Sequence, residues 1–112
     1  MADCIFCAIA RGEGKAKFVH QDDRVVAIED INPAAPVHVL VMPREHLESA
    51  RDVEDAELLA AMFRVAHSIA AERDLTERGY RLVFNTGADA NNTVPHLHMH
   101  LLGGRSMKWP PG

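Results

Sequence analysis

The stretch His96-Leu97-His98-Met99-His100-Leu101-Leu102 constrains the fold more than any other part of this chain. Its histidines recur at every second position, with apolar residues between them. In a helix, residues two apart lie about 200° apart around the axis, so His98 would face away from His96 and His100. In a strand, residues i, i+2 and i+4 share one face. The alternation therefore predicts a strand over 96–102, with three imidazoles on one side and Leu97, Met99 and Leu101 turned to a core.

Other segments supply partners for that strand. Residues 4–11, CIFCAIAR, read as a short helix closed by Gly12 and Gly14. Runs rich in β-branched residues on either side of Asp22-Asp23 predict a hairpin of strands near 17–20 and 24–29. Pro33 and Pro36 make 31–36 a loop, because each proline restricts the residue before it. Val37 to Met42, stopped by Pro43, is near-continuously apolar apart from His38, as a central buried strand would be. Between Val53 and Leu75 the period changes: Leu58, Met62, Val65 and Ile69 form one stripe of a long helix, with Asp52 or Asp55 available to cap it. Tyr80 to Asn85 reads as a further strand, followed by a polar loop. One long helix that does not alternate with the strands indicates an α+β fold, with an antiparallel sheet of about five strands and a short N-terminal helix.

A chain of 112 residues fits one domain, 1–112. Sixteen acidic against twelve basic residues, a net charge of −4 and no run of Lys/Arg longer than two argue against nucleic-acid binding. No apolar run approaches the roughly 20 residues that span a bilayer, and the N-terminus lacks the basic region of a signal peptide. A cytoplasmic location is the expectation, in which Cys4 and Cys7 stay reduced.

The histidine row has three available chemistries. At roughly 3.3 Å per residue, neighbouring histidines stand about 6.6 Å apart and the outer two about 13 Å apart. With Zn–N bonds of about 2.0–2.1 Å, two neighbours could share a metal but all three could not. A solvated strand face is the plain alternative. Catalysis is the third: neutral and protonated imidazole are both accessible near neutral pH, and a phosphorylated imidazole forms and hydrolyses readily. Cys4-x-x-Cys7 by itself is compatible with redox chemistry, metal binding or no task, and a closed zinc site would need two more ligands.

Together these segments resemble the histidine-triad (HIT) nucleotide-binding proteins. The resemblance covers almost the whole chain: CIFC, DDRVVAIEDINPAAPVHVLVMPREH, GYRLVFNTG, HLHMHLL and the ending GGRSMKWPPG, which is similar to the Hint branch. It implies a HIT-like fold and a hydrolase of purine nucleoside phosphoramidates and related AMP-X substrates. His98 would be the nucleophile, forming a nucleotidyl-histidine; His100 would contact phosphate and His38 would complete the cluster. Asp30 and Ile31 fall where the family binds nucleoside, with Phe6, Ile9 and Ile28 as candidate pocket walls. Asn85, Asn91, Asn92 and Thr93 match positions that hold ribose and phosphate, Thr93 also assisting the leaving group. Here the chain departs from the family: Asn91-Asn92-Thr93 stands where Gly-Gln-Ser is usual, so the backbone at Asn91 must follow a path that glycine takes more easily.

Many bacterial relatives carry a zinc on the CxxC pair, the histidine of a PxxH segment and the first triad histidine. Those positions are Cys4, Cys7, His46 and His96, and the resemblance implies a structural zinc there, with no organic cofactor. It also implies a homodimer in which the tail 103–112, with Trp109, docks near the partner's active site. Three other readings stand beside the hydrolase: a nucleotide-binding regulatory protein with weak activity, a dinucleoside polyphosphate hydrolase or nucleotidyltransferase, and a small zinc-binding structural module, which would leave His98 and His100 without a task.

Overall fold

The computed structural model describes residues 4–112. Five strands, β1 (Phe18–Gln21), β2 (Val25–Glu29), β3 (Val37–Pro43), β4 (Tyr80–Phe84) and β5 (Met99–Gly103), form one antiparallel sheet in the order β1-β2-β3-β5-β4. Helix α1 (Ile5–Ala10) precedes the sheet, and helix α2 (Ala56–Glu72) connects β3 to β4. Among the described residues no helix is long and apolar enough to cross a membrane.

The hairpin between β1 and β2 is closed by Asp22, whose carboxylate accepts from the backbone N–H of Arg24 (2.8 Å) and Val25 (2.9 Å). Those bonds hold the Asx-type turn without an Asn-Gly pair. Asp55, one of the two expected caps, accepts the Glu57 N–H at 3.0 Å and starts α2. Asp52 instead caps a short 3₁₀ turn, Ala50–Asp52, reciprocally with Ser49.

The sheet is covered on both sides, which accounts for the unbroken apolar character of β3. Val39 and Val41 join Val25, Ala27, Met99 and Leu101 against the α2 stripe of Leu58, Met62, Val65 and Ile69. Leu40 and Met42 face the other way, onto Phe6, Ile9 and Ala10 of α1 with Val26 and Ile28. Truncating a fully buried residue such as Met62 to alanine would cost roughly 2–5 kcal/mol. Helix α1 is short and covers only part of its side of the sheet. The remainder of that side carries the histidines.

Candidate functional site

The triad strand is shorter than the alternation predicts: β5 begins at Met99, and His96 to His98 precede it. The register explains this. Val41 pairs with Met99, so continuing the ladder would set Pro43 opposite Leu97, and proline has no N–H to donate. The chain makes other bonds instead, from His96 N–H to the Val94 carbonyl (2.8 Å) and from Leu97 N–H to the Leu47 carbonyl (2.6 Å). The side-chain alternation outlasts the ladder. Leu97, Met99 and Leu101 all enter the α2 core, while Phe6 of α1 meets the rings of both His96 and His98 edge-on.

Backbone groups fix the protons of His98 and His38, and His38 in turn fixes that of His100. His98 Nδ1 lies 2.7 Å from the His96 carbonyl, which only accepts, so Nδ1 carries the hydrogen and Nε2 keeps a free lone pair. His38 Nδ1 accepts the Ala34 N–H at 2.9 Å, which places the hydrogen of the neutral ring on Nε2. That Nε2–H donates to His100 Nδ1 at 2.9 Å, with an Asp30 carboxylate oxygen at 3.4 Å. His100 is left with its hydrogen on Nε2; Asn85 Nδ2 lies 3.5 Å from that atom and, being a donor itself, makes a contact there and not an accepting hydrogen bond. Burial pushes the His38 pKa down, opposed by the Asp30 charge. Burial, reinforced by His98 and His38, pushes His100 down to about 4. Both rings are thus neutral at pH 7, as the hydrogen-bond chain requires.

In front of these rings lies a cleft of about 330 Å³. Phe6, Ile9, Ile28 and Leu40 form its apolar wall, Asp30 and Ile31 its rim, and Thr93, His98 and His100 its polar end. Ile31 is 86% exposed, an apolar side chain with no core to fill. Asp30 accepts the Asn32 N–H at 2.8 Å, which holds the rim. His38 stands behind His100, and Asn85 beside it, rather than on the cleft wall. Asn91 and Asn92 also lie off the wall. Asn91 takes the left-handed conformation (φ 62°, ψ 38°) as the residue replacing glycine must, and the Asn92 amide oxygen is buried with no hydrogen-bond partner among the described residues. Lys15, Asn32 and Val94 line the cleft without having been singled out from sequence. Nothing local marks them, because the courses of three loops bring them there.

A second cluster forms where α1 meets the end of the sheet. Cys4 Sγ is 3.2 Å and Cys7 Sγ 3.5 Å from His96 Nδ1, and Cys7 Sγ is 3.3 Å from His46 Nδ1. All four donor atoms lie within 4.8 Å of one another. A tetrahedral zinc with Zn–S of about 2.3 Å and Zn–N of about 2.0–2.1 Å needs S···N edges of about 3.5 Å, so this donor set fits one. His96 is fully buried, and its Nε2–H donates to the Pro43 carbonyl at 2.9 Å, leaving Nδ1 bare toward the sulfurs. Burial lowers the His96 pKa and, aided by Cys4, raises that of Cys7. In the tail, Trp109 is 81% exposed and finds no cover among the described residues.

Residues 11–107 match the HIT domain family. The chain is 46% identical over 112 residues to an uncharacterised HIT-like protein of Synechococcus elongatus, spanning 98% of this chain and 97% of that one. It is 42% identical over 107 residues to the purine nucleoside phosphoramidase of Escherichia coli K12, spanning 94% of this chain and 90% of the relative. A HIT family hydrolase from Legionella pneumophila superposes with a TM-score of 0.95 at 46% identity, covering 98% of this chain and all of the other (100%).

Proposed function

The chain belongs to the HIT domain family, and on that premise we propose that it hydrolyses purine nucleoside phosphoramidates and related AMP-X compounds through a covalent nucleotidyl-histidine. The observation that carries this reading is the backbone bond to His98 Nδ1, which leaves the Nε2 lone pair free beside a cleft of nucleoside size.

In this mechanism Asp30 accepts from the ribose hydroxyls, and Ile31 with Phe6, Ile9 and Ile28 packs on the base. His98 Nε2 attacks the α-phosphorus in line; the P–N bond breaks, and its electron pair leaves with the amine, which takes up a proton with help from Thr93. His100, held by His38, donates its Nε2–H to a non-bridging oxygen, where charge builds up in the transition state. Thr93, on the cleft wall, also holds phosphate; Asn85 stands beside His100, and Asn91 and Asn92 shape the loop that presents Thr93 rather than touching substrate. Water then attacks the phosphorus and releases AMP and free His98.

We also propose a structural zinc held by Cys4, Cys7, His46 and His96. When bound it supplies a cross-link that pins α1, and with it Phe6, over the cleft; the reaction needs no Lewis acid from it. A homodimer whose tail reaches the partner's site and a cytoplasmic location complete the proposal. The exposure of Trp109 supports the first and the free thiols Cys4 and Cys7 the second.

The test is hydrolysis of adenosine 5′-phosphoramidate by the wild type and by His98→Ala. The variant should lose on the order of 10³-fold or more in kcat, and a rapidly quenched wild-type reaction should yield AMP bound to His98. Equal rates for the two proteins would refute the nucleophile and the reading with it.

A further inference from the structure

Among the described residues that line the nucleoside cleft, Lys15 is the only Lys or Arg, and the reaction proposed above gives it no task. Its place in the chain is fixed from both sides. On one side, Gly12 (φ 86°) and Gly14 (φ 76°) turn the chain out of α1, and the Glu13 N–H donates to the Ala8 carbonyl at 2.9 Å. On the other, the Lys17 carbonyl accepts the Glu29 N–H at 3.0 Å, which extends the pairing of β1 with β2. Lys15 is thereby held toward the rim where Ile31 stands, and both line the same cleft. Glu29 meets Lys17 (3.8 Å) and Arg73 (3.1 Å), and the exposed Lys15 ammonium pairs with no carboxylate among the described residues.

The sheet order decides which part of a nucleotide Lys15 would meet. The phosphate end of the cleft, at His98 and His100, belongs to β5 and the residues just before it. The chain at Lys15 leads into β1, three strand spacings from β5, or about 14 Å. With the ribose on Asp30 and the base against Phe6, Ile9 and Ile28, Lys15 stands past the edge of the base. It is far from the phosphate. A lysine ammonium carries three N–H donors and no acceptor. A 6-oxopurine offers two acceptors on one edge, N7 and O6, which a single lysine bridges. Adenine offers N7 but sets its N6 amino group, a donor, where O6 would be. Asn32, at the same rim, has an amide that both donates and accepts, so it suits either base.

We infer that Lys15 reads the base, and that the cleft selects 6-oxopurine nucleotides, those of guanine and hypoxanthine, over adenine nucleotides. The inference rests on the proposed phosphoramidase reading, which puts a purine nucleotide in this cleft. The contact is remote from the reacting phosphorus and is the same in ground state and transition state. It therefore acts on KM rather than on kcat.

The experiment compares kcat/KM for guanosine, inosine and adenosine 5′-phosphoramidates, and calorimetric Kd values for GMP, IMP and AMP give a readout that needs no turnover. The wild type should favour the guanosine and inosine compounds over the adenosine compound by about tenfold, the low end for a bridging lysine contact because Lys15 is exposed. The difference should lie in KM. Lys15→Arg should keep the preference, and Lys15→Ala should bring the ratio close to one. Lys15→Gln should turn it toward adenosine, because an amide matches N7 and N6 of adenine. A preference for guanosine not shared by inosine would assign the selection to the 2-amino group and overturn the role of Lys15, as would a ratio unchanged in Lys15→Ala. Equal kcat/KM for all three compounds in the wild type overturns base reading and leaves the phosphoramidase reading standing. If none is hydrolysed, the phosphoramidase reading falls, and the three mononucleotide affinities still decide for or against Lys15.

Discussion

Two clusters of histidines converge in this small protein, and their donor atoms are equally close. In each, one donor atom per residue lies within 4.8 Å of all the others: Cys4, Cys7, His46 and His96 in one, Asp30, His38 and His100 in the other. Distance alone would make both metal cages. The backbone separates them. At His96 the Pro43 carbonyl takes the Nε2 hydrogen, so a bare lone pair faces the thiols. At His38 the Ala34 N–H occupies Nδ1, so the Nε2 hydrogen points into the space where a metal would sit. The first cluster is a set of convergent lone pairs. The second is a chain of hydrogen bonds ending on a substrate cleft.

Metal removal should divide the two clusters most strongly. Chelation of purified protein is expected to release about one zinc per chain and to lower Tm by roughly 10 °C, because the metal binds only the folded state. His100→Gln should leave the zinc content unchanged. Metal analysis with differential scanning calorimetry checks both, and zinc well below one equivalent per chain would remove the cage.

Replacing His38 sharpens the contrast from the other side. His38 does not itself line the cleft and acts through His100, so it is a positioning residue, and His38→Ala should lower kcat by roughly 10²-fold through loss of the fixed His100 proton. A merely structural role would leave the His100 tautomer unchanged. The ¹⁵N shifts of the His100 ring should show its hydrogen on Nε2 in the wild type and a mixture of tautomers in the variant. His38→Gln, whose amide can still donate to His100, should recover part of the rate.

The third contrast is in pH. His38 and His100 have pKa values depressed by burial, His100 to about 4. Below the ordinary value of about 6.5 the unfolded chain takes up protons that the folded chain refuses. Their contribution to stability is therefore complete above about pH 6.5 and declines as pH falls toward 4. In metal-free protein, Tm should drop by several degrees across that window, and His100→Gln should flatten the slope. Asp22, lowered to about 2, has its own window from about pH 4 downward, below the histidine interval, to which His96, also lowered by burial, adds in the metal-free protein.

Much of this arrangement was legible in the sequence because it depends on period. The alternation in HLHMHLL gave the side on which each residue lies, and the 58-62-65-69 stripe gave the buried face of α2. The start of β5 depends instead on which residue of β3 comes opposite Leu97, a register that no local pattern encodes. The positions of Asn91 and Asn92 off the cleft wall, and of Lys15 and Asn32 on it, depend on loop paths of the same non-local kind. The tautomers were hidden for a further reason. They are set by main-chain groups of Ala34, Pro43 and His96, whose side chains have no part in it.

The smallest expected effect tests whether the α2 side of the sheet is independent of the clusters. Asp55 accepts the Glu57 N–H and also meets Arg24 at 2.8 Å, but both side chains are about half exposed, so solvent screens the ion pair and most of the effect belongs to the cap. Asp55→Ala should then destabilise the fold slightly through loss of the cap, seen as a small fall in Tm. Helix α2 packs on the face opposite the histidines, and no residue of its first turn lines the nucleoside cleft. Zinc content and kcat should both be unchanged in this variant. A change in either would mean that the α2 layer transmits strain through β3 into the clusters, and that the sheet does not insulate one face from the other.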